Sequence, residues 1–299
     1  MTVRRPGMDH GLYPYTPLPK RRSWSWPNGK RIAVCIYLYF EYWELDPPPG
    51  ALQDRSYHGF LGALHPNYFG YTAFEYGNRV GIFRILELLD HHGLKATVAA
   101  NAGACARYPF LVQEFKRRGF EFAAHGSFAT RMISSNLSEA QERAEIAEAV
   151  RGVAESTGQQ PKGWISQDFG ESTRTPQLLA EAGLSYVVDW GNDDRPYFFS
   201  TEPPLLSIPN QMEWDDVQAM WHRKLPPSVY VDSACDAFNC LYEEGGSFAT
   251  YFGLHLHPWL TGKGHRIRYI DRILGKLAAT REVWHATAGE ICDNVPKDV

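Results

Sequence analysis

The segment AAHGSFAT, residues 123–130, places His125 directly after a short apolar run. A histidine at the tip of a buried strand can bind a metal, stabilise an oxyanion or move a proton. Position 129, four residues further on, is an alanine and offers no second ligand. The segment therefore leaves open whether His125 works with a metal or without one.

A carboxylate follows the first long apolar run, RIAVCIYLYF, at Glu41. The aromatic residues around it, among them Tyr39 and Trp43, predict an apolar environment that raises the pKa of the carboxyl and suits it to general-base work on water. Glu44, three residues on, is the weaker candidate because loop carboxylates are usually solvated.

Two further histidines stand in GLHLHPW, where His255 and His257 are two residues apart. Side chains two apart on a strand point to the same face, so both are catalytic candidates. Of the two, His257 is favoured as the one that faces the site.

Other polar and aromatic side chains are candidates for binding a substrate. Glu75 and Arg79 stand at the start of the first predicted helix, where a guanidinium and amide donors can hold an oxygen. Tryptophans beside strand ends, Trp43, Trp164, Trp190 and Trp259, are candidate stacking walls, although apolar tryptophans are more often core. The remaining predicted binding residues are Asn101, Asp189 and Asp193.

Short apolar runs alternate with helical patterns along the whole chain, which predicts an α/β fold with a parallel barrel. Most of these runs end in a polar or ionisable residue. The carboxyl ends of parallel barrel strands share one rim, so these side chains are expected to converge. The residues concerned are Glu41, Asn101, His125, Gln167, Asp168, Asp189, Asn210, Gln211, His257 and His285.

The chain is predicted to form one barrel domain over residues 31–299, preceded by an arm over residues 1–30 that is rich in proline and aromatics. The arm is expected to wrap the fold or a neighbouring subunit. A long loop is predicted from Glu41 to Gly77, and the helix that follows is expected to have Asn78 as its cap and Gly93 as its stop.

Composition excludes several functions. The 299 residues carry a formal net charge of -4 and no run of like charges, which argues against nucleic acid as a partner. No apolar stretch is long enough for a membrane span and no signal-peptide core is present, so a cytoplasmic protein is expected. The five cysteines form no CxxC pair and are predicted to be reduced thiols.

Taken together, these motifs resemble the polysaccharide deacetylase superfamily, of the NodB type, from about Arg31 onward. The resemblance rests on YFEYWE, AAHGSFAT and GLHLHP, in that order. Four other segments resemble the branch with cofactor-free allantoinases and cyclic imide hydrolases: FEYGNRVGIFRILELLDHHGL, YPFLVQEFKRRGFEFAAHG, NDDRPY and VWHATAGEI. The resemblance implies a distorted, TIM-like (β/α) barrel of about seven parallel strands, and it suggests a homotetramer.

The departures from the family pattern concern its metal site. Metal-dependent members use an aspartate and two histidines, whereas this chain has Glu41, followed by Tyr42, and Ala129 in place of the second histidine. Zinc requires at least three protein ligands. A site without cofactor is therefore expected, and the alternative is a rearranged zinc or other divalent-metal site built from Glu41, Glu44, His125 and His257.

Three functions follow as hypotheses. The first is a hydrolase of non-peptide C–N bonds that opens a small cyclic imide, ureide or related amide, because such carbonyls need little electrophilic help. In this hypothesis Glu41 activates water, His125 and His257 serve the oxyanion and the leaving nitrogen, and Glu75, Arg79 and Asn101 orient the ring. The second is a metal-dependent N-deacetylase of N-acetylated sugars. The third is an inactive barrel that only binds a ligand.

Overall fold

In this computed structural model the described part of the chain consists of residues 9–52, 57 and 66–297. These residues include nine strands and ten α-helices. The first strand, β1, is buried at every position, as its unbroken apolar sequence predicts. The strands are β1 (Ile32–Phe40), β2 (Thr97–Ala100), β3 (Glu121–Ala124), β4 (Gly163–Trp164), β5 (Tyr186–Val187), β6 (Tyr197–Phe198), β7 (Leu206–Ser207), β8 (Thr250–Leu256) and β9 (Val283–His285).

The helices alternate with these strands. A π-helical turn, Gly77–Gly81, joins the first two, and a second, Val217–His222, precedes α7. The helices are α1 (Tyr68–Tyr76), α2 (Ile82–His92), α3 (Ala102–Arg107), α4 (Pro109–Arg117), α5 (Glu139–Thr157), α6 (Thr175–Glu181), α7 (Pro227–Glu244), α8 (Pro258–Thr261), α9 (Ile267–Ala279) and α10 (Ala288–Asn294). None of the helices that the structure describes has the length and apolar content needed to cross a bilayer.

The sheet runs in the order β6-β7-β5-β4-β3-β2-β1-β8, and β9 pairs with β1 off this path. Every described pairing is parallel except that of β6 with β7. The predicted distorted (β/α) barrel is therefore confirmed. The carboxyl ends of β1, β2 and β3 lie level, because Phe40 pairs with Ala100 and Ala100 with Ala124.

Between β7 and β8 the barrel is joined by the side chain of Gln211 rather than by backbone hydrogen bonds between strands. The amide of Gln211, four residues after β7, donates to the carbonyl of Tyr251 and accepts from the amide of Gly253, both at 2.8 Å. A glutamine can make both bonds at once because it carries a donor and an acceptor. This bridge joins the β7 side of the sheet to β8, the strand that carries His255 and leads into His257.

The predicted loop from Glu41 to Gly77 and the predicted cap at Asn78 are wrong in part. Helix α1 begins at Tyr68, and Asn67 caps it by accepting a hydrogen bond from Gly70 at 2.9 Å. The aromatic sequence of this helix lacks the aliphatic periodicity that marks α2, which explains the error. Gly93 ends α2 as predicted, with a φ of 64° that favours glycine.

The described part of the arm packs on its own chain. The Trp26 side chain is fully buried and donates a hydrogen bond to the carbonyl of Thr250 at 2.7 Å. Further along, the ring of Tyr13 lies 5.0 Å from that of Tyr197 and 5.8 Å from that of Trp190. Residues 1–8 lie outside the described part, and none of the five cysteines forms a disulfide.

Candidate active site

Glu41 and His125 meet at the carboxyl ends of β1 and β3. The Oε1 atom of Glu41 lies 3.5 Å from Nε2 of His125, and both side chains are almost fully buried. The parallel ladder brings them together: the amide of His125 donates to the carbonyl of Ala100 at 2.9 Å, one strand away from β1. The predicted convergence at this rim is therefore realised for this pair.

The hydrogen bonds of His125 decide which nitrogen faces Glu41. Its Nδ1 lies 2.7 Å from the carbonyl oxygen of Ile165. A carbonyl can only accept, so Nδ1 carries the proton and Nε2 points toward the carboxylate. Apart from this contact with the carboxylate, Nε2 has no polar partner among the described residues.

The environment of Glu41 corrects the expectation of a raised pKa. Burial raises the pKa of this carboxyl, but the hydrogen bond with His125 and the charge of His257 outweigh burial and lower it below its ordinary value. The Gln167 amide also donates to Oε1 at 3.3 Å. Glu41 is therefore a carboxylate at neutral pH, in the form that can accept a proton from water.

His257 is held by Asp216, a residue that no motif in the sequence singled out. Nδ1 of His257 lies 2.6 Å from Oδ1 of Asp216, and the backbone amide of His257 donates to Oδ2 at 2.7 Å. Burial alone lowers the pKa of His257, but Asp216 and Glu41 raise it to about 9. His257 is therefore an imidazolium at neutral pH and can serve as a general acid.

His255 lies deeper in the barrel than His257. Its ring stacks on that of Tyr37, with centroids 4.5 Å apart, and its Nδ1 lies 3.0 Å from the hydroxyl of Tyr39. Burial, together with the charge of His257, lowers its pKa to about 3. His255 is therefore neutral at ordinary pH and serves as a partner inside the barrel rather than as an acid.

Tyr39 connects the three histidines. Its ring stacks on His257 with centroids 3.7 Å apart and meets His125 edge-on at 5.1 Å. Strand β1 alternates its side chains, so Tyr39 and Glu41 point to the same face. Tyr39 was considered in the sequence only as an apolar neighbour of Glu41, and the period of two along the strand was the signal that could have found it.

A pocket opens onto the histidines of this cluster and is lined by His125 and His257, while Glu41 lines a smaller neighbouring pocket. The 3-10 turn Gln167–Phe169 forms part of its wall, where Asp168 and Phe169 have φ values of 49° and 55°. Two successive non-glycine residues in the left-handed region cost free energy and tend to cluster at functional sites. The described lining consists of Tyr39, Tyr57, His125, Ser166, Gln167, Asp168, Phe169, Asp215, Val217, Gln218 and His257.

An aromatic cluster packs behind Tyr57, which lines one side of this pocket. The Tyr57 ring lies 4.9 Å from that of Trp43 and 6.4 Å from that of Trp259, and its hydroxyl donates to Asp168 at 3.1 Å. Phe74 stacks on Trp43 at 4.1 Å. Of the four predicted stacking tryptophans, Trp43 and Trp259 therefore stand in the aromatic wall beside the pocket.

The other two tryptophans pack elsewhere. Trp164 is buried in the core and donates from Nε1 to the hydroxyl of Ser166 at 2.8 Å. Trp190 packs against Phe199, with ring centroids 5.3 Å apart, and donates to Glu171 at 3.1 Å. Neither residue lines the pocket of His125 and His257 or the smaller pocket of Glu41.

The side chain of Asn101 binds backbone rather than open space. Its Oδ1 accepts from the amide of Tyr42 at 3.0 Å, and its Nδ2 donates to the carbonyl of His125. Asn101 thus joins the ends of β1 and β3 from behind. Asp189 has a similar position, since its Oδ1 accepts from the amide of Ser166 at 2.8 Å.

Of the predicted binding residues, Glu75 shares a small pocket with Glu41, which Asn78 and Tyr108 also line. Arg79 and Asp193 line neither this pocket nor the one at His125 and His257. The Arg79 side chain is 70% exposed and lies 3.6 Å from the Glu75 carboxylate. Asp193 pairs with Arg21 of the arm at 2.5 Å.

His285 does not reach the rim at all. Strand β9 pairs with the start of β1, so that His285 lies opposite Val34. Paired residues of neighbouring parallel strands lie at the same height in the sheet. The end of β9 therefore lies beside the beginning of β1, away from the carboxyl end of β1. The expectation that His285 joins the rim is wrong.

The residues at the family's metal position do not supply the ligands that zinc requires. Glu41 and His125 offer one ligand each, while Ala129 is buried and offers none. Glu44, the fourth member of the alternative metal set, is bound instead by Arg131 at 2.7 Å and Thr130 at 2.6 Å. This position thus offers two of the three ligands that zinc needs, and a zinc ion here would require His257 as the third.

One other group of ligand atoms comes together in the described residues. Single ligand atoms of Asp215, Asp216 and His257 lie within 4.8 Å of one another. Asp216 already uses both oxygens on His257, and Oδ1 of Asp215 accepts from the amides of Val217 and Gln218. These bonds favour a carboxylate–histidine pair with a second acid behind it, and burial raises the pKa of that acid, Asp215, to about 7.

Known proteins share this sequence pattern over most of the chain. The family model for polysaccharide deacetylase matches residues 69–187. A protein of Schizosaccharomyces pombe described as "Putative polysaccharide deacetylase" is 26% identical over 294 residues, which cover 89% of this chain and 90% of that protein.

Solved structures agree with the sequence matches. A "probable Polysaccharide deacetylase" from Pseudomonas aeruginosa PAO1 has a TM-score of 0.79 and 27% identity, covering 90% of this chain and 92% of that one. A PuuE allantoinase has a TM-score of 0.78 and 26% identity, covering 90% and 91%. The predicted resemblance to the polysaccharide deacetylase superfamily, and to its branch with an allantoinase, is confirmed.

Proposed function

We propose that this protein is a hydrolase of non-peptide C–N bonds that opens a small cyclic imide, ureide or related amide by base-activated water. The coarser part, an amide hydrolase, is supported by the family match and by the deacetylase and allantoinase names of its relatives. The finer part is carried by one observation: a buried carboxylate, Glu41, faces His125 at 3.5 Å beside the imidazolium of His257.

In the proposed first step, a water in the pocket donates a proton to the Glu41 carboxylate as its oxygen attacks the ring carbonyl. His125 lies on the same side, and its Nε2 accepts a hydrogen bond from the second hydrogen of the water and so orients it. The buried carboxylate can take this role because its lowered pKa keeps it ionised. The products of this step are a tetrahedral oxyanion and a protonated Glu41.

In the second step the C–N bond breaks and the leaving nitrogen takes a proton from the His257 imidazolium. The second carbonyl of an imide or ureide delocalises charge on that nitrogen, so that one general acid suffices. Asp216 stabilises the imidazolium before the transfer and fixes the orientation of its ring. A proton then passes from Glu41 to His257, and the carboxylic acid product releases its proton to solvent, which restores the starting state.

The rival function, a metal-dependent N-deacetylase of N-acetylated sugars, is favoured by the names of several relatives. The ligand position at Ala129 speaks against it. An inactive binding barrel is the third candidate, and the matched proton states of Glu41 and His257 speak against that, since a mere binding site has no need of a base beside an acid.

The deciding experiment measures ring opening of succinimide, hydantoin, allantoin and dihydrouracil, beside deacetylation of chitin oligomers. The purified protein is assayed before and after exhaustive chelation, with its metal content determined in each state. We expect an imide or ureide to open at an unchanged rate after chelation. Activity that falls with chelation and returns with zinc would instead support the metal-dependent deacetylase, and binding without any turnover would support the inactive barrel.

The cytoplasmic location and the homotetramer stay predictions. We propose a small molecule as the substrate and further copies of this chain as the partners. Light scattering on the full chain measures the assembly directly, and a monomeric mass at working concentration contradicts the tetramer.

A further inference from the structure

A second cavity, with a volume of about 400 Å³, lies between the arm and the residues around β6. It shares no lining residue with the pocket of His125 and His257 or with the smaller pocket of Glu41. Its walls come from two stretches of the chain, residues 13–22 and residues 192–198. The cavity is therefore a separate place in the fold, which the proposed reaction does not use.

The charge of this cavity is strongly one-sided. Its lining includes four basic side chains and one carboxylate: Lys20, Arg21, Arg22, Arg195 and Asp193. That carboxylate is already committed, because Oδ1 of Asp193 accepts from Nη1 of Arg21 at 2.5 Å and from the amide of Arg195 at 3.1 Å. A positive field in a concave site attracts anions and raises their local concentration.

Arg195 is the member of this group that most requires a counter-ion. It is only 4% exposed, and its Nη2 donates to the carbonyl of Arg22 at 3.0 Å. Its Nη1 is buried and has no hydrogen-bond partner among the described residues. An arginine that is buried without a carboxylate costs free energy, and a guanidinium binds a carboxylate through two parallel hydrogen bonds.

Aromatic rings give the cavity an apolar side. The Tyr13 and Tyr197 rings, 5.0 Å apart, line it together with Phe198, while Tyr15 is 65% exposed. A ligand that fits these walls has a flat apolar body as well as a negative charge.

We propose that this cavity is a binding site for a small carboxylate with a flat ring, of the benzoate type. The carboxylate pairs with the guanidinium groups of Arg21 and Arg195, and the ring packs against the Tyr13 and Tyr197 pair. This binding is independent of the proposed hydrolysis. The arm then contributes a ligand site in addition to covering the barrel.

The test is calorimetric titration of the full-length protein with benzoate, with benzamide as the neutral ligand of the same shape and with inorganic phosphate. Benzoate is expected to bind at least ten-fold more tightly than either. Equal affinity for benzamide overturns the role of the charge, and equal affinity for phosphate overturns the role of the apolar walls. Absence of benzoate binding overturns the site.

Variants locate the binding. Arg21→Gln and Arg195→Gln are each expected to weaken benzoate at least ten-fold, whereas Arg223→Gln, a surface arginine paired with Glu213, keeps the affinity. Because Arg195 is buried, its variant is checked by circular dichroism, and Arg21→Gln tests the site if that variant fails to fold. Glu41→Gln keeps benzoate affinity if the second cavity is the site and loses it if benzoate binds at the catalytic pocket.

A crystal structure with benzoate completes the test. Density for benzoate beside Arg195 supports the proposal. A side chain of a neighbouring subunit that fills the cavity overturns it, because the cavity would then be part of an interface.

Discussion

Asp216 holds His257 at two points, with one carboxylate oxygen 2.6 Å from Nδ1 and the other 2.7 Å from the backbone amide. The bond to the main chain fixes the carboxylate relative to the end of β8, and the bond to the ring fixes the imidazole relative to the carboxylate. The charged form of the histidine is stabilised as well, so its pKa rises to about 9 although burial opposes this. The proposed general acid is thereby set in both position and protonation.

The first prediction concerns the pH dependence of this acid. A reaction that needs protonated His257 loses activity as pH rises through about 9. Asp216→Asn removes the charge that raises the pKa and leaves burial to lower it, so the alkaline limb of the kcat/KM profile should move down by at least one pH unit. Asp232→Asn, at an exposed residue paired with Arg272, is the control. An unmoved limb in Asp216→Asn rules out His257 as the titrating acid.

The second prediction concerns the base. Glu41→Gln keeps the shape of the side chain and removes its ability to accept a proton, so kcat/KM for ring opening should fall by roughly 10²–10⁴, as for loss of a general base. Circular dichroism and thermal unfolding should show an intact fold. Glu155→Gln, on the exposed surface of α5, provides the matched control. Retention of more than half of the activity in Glu41→Gln would mean that another group activates the water.

The third prediction separates positioning from binding at Asn101. Asn101→Leu leaves the amide of Tyr42 and the carbonyl of His125 without their partner, and each unpaired buried group costs about 1–3 kcal/mol. The free energy of unfolding should therefore fall by roughly 2–6 kcal/mol in urea titration. Asn136→Leu, on an exposed turn, should leave it unchanged. Normal stability with a raised KM would instead place Asn101 in direct contact with the substrate.

The fourth prediction concerns acid stability. The folded-state pKa of His255 is about 3, below its ordinary value of 6.5. Between pH 6.5 and about 3, His255 is therefore protonated in the unfolded chain and neutral in the folded chain. Because the unfolded state binds more protons, the free energy of unfolding decreases as pH falls below 6.5. His255→Asn should be less stable than wild type at pH 7.5, because it loses the stacking on Tyr37. The difference in the free energy of unfolding should be smaller at pH 5, because only the wild type loses stability through His255 as pH falls. Urea midpoints of both proteins at both pH values measure this, and a constant deficit contradicts the lowered pKa.

The strand and helix alternation determined the barrel, because a buried parallel strand requires an apolar run on both faces and the helix that follows requires its own period. The same logic placed Glu41 and His125 at one rim, since strand ends in a parallel barrel converge whatever their distance along the chain. His285 shows the limit of that logic: the rule assumes that every strand starts at the same level, and the register of β9 against β1 is set by packing.

Only the tertiary structure determined the hydrogen-bond partners and the protonation states of the site residues. Asp216 lies 41 residues from His257, in a segment with no motif of its own, and only the fold brings the two within a hydrogen bond. The pKa of Glu41 went down rather than up because His125 and His257 outweigh burial, and the sequence contains neither distance. Apolar periodicity can be read along the sequence, whereas electrostatic interactions depend on distances between charges that only the folded structure sets.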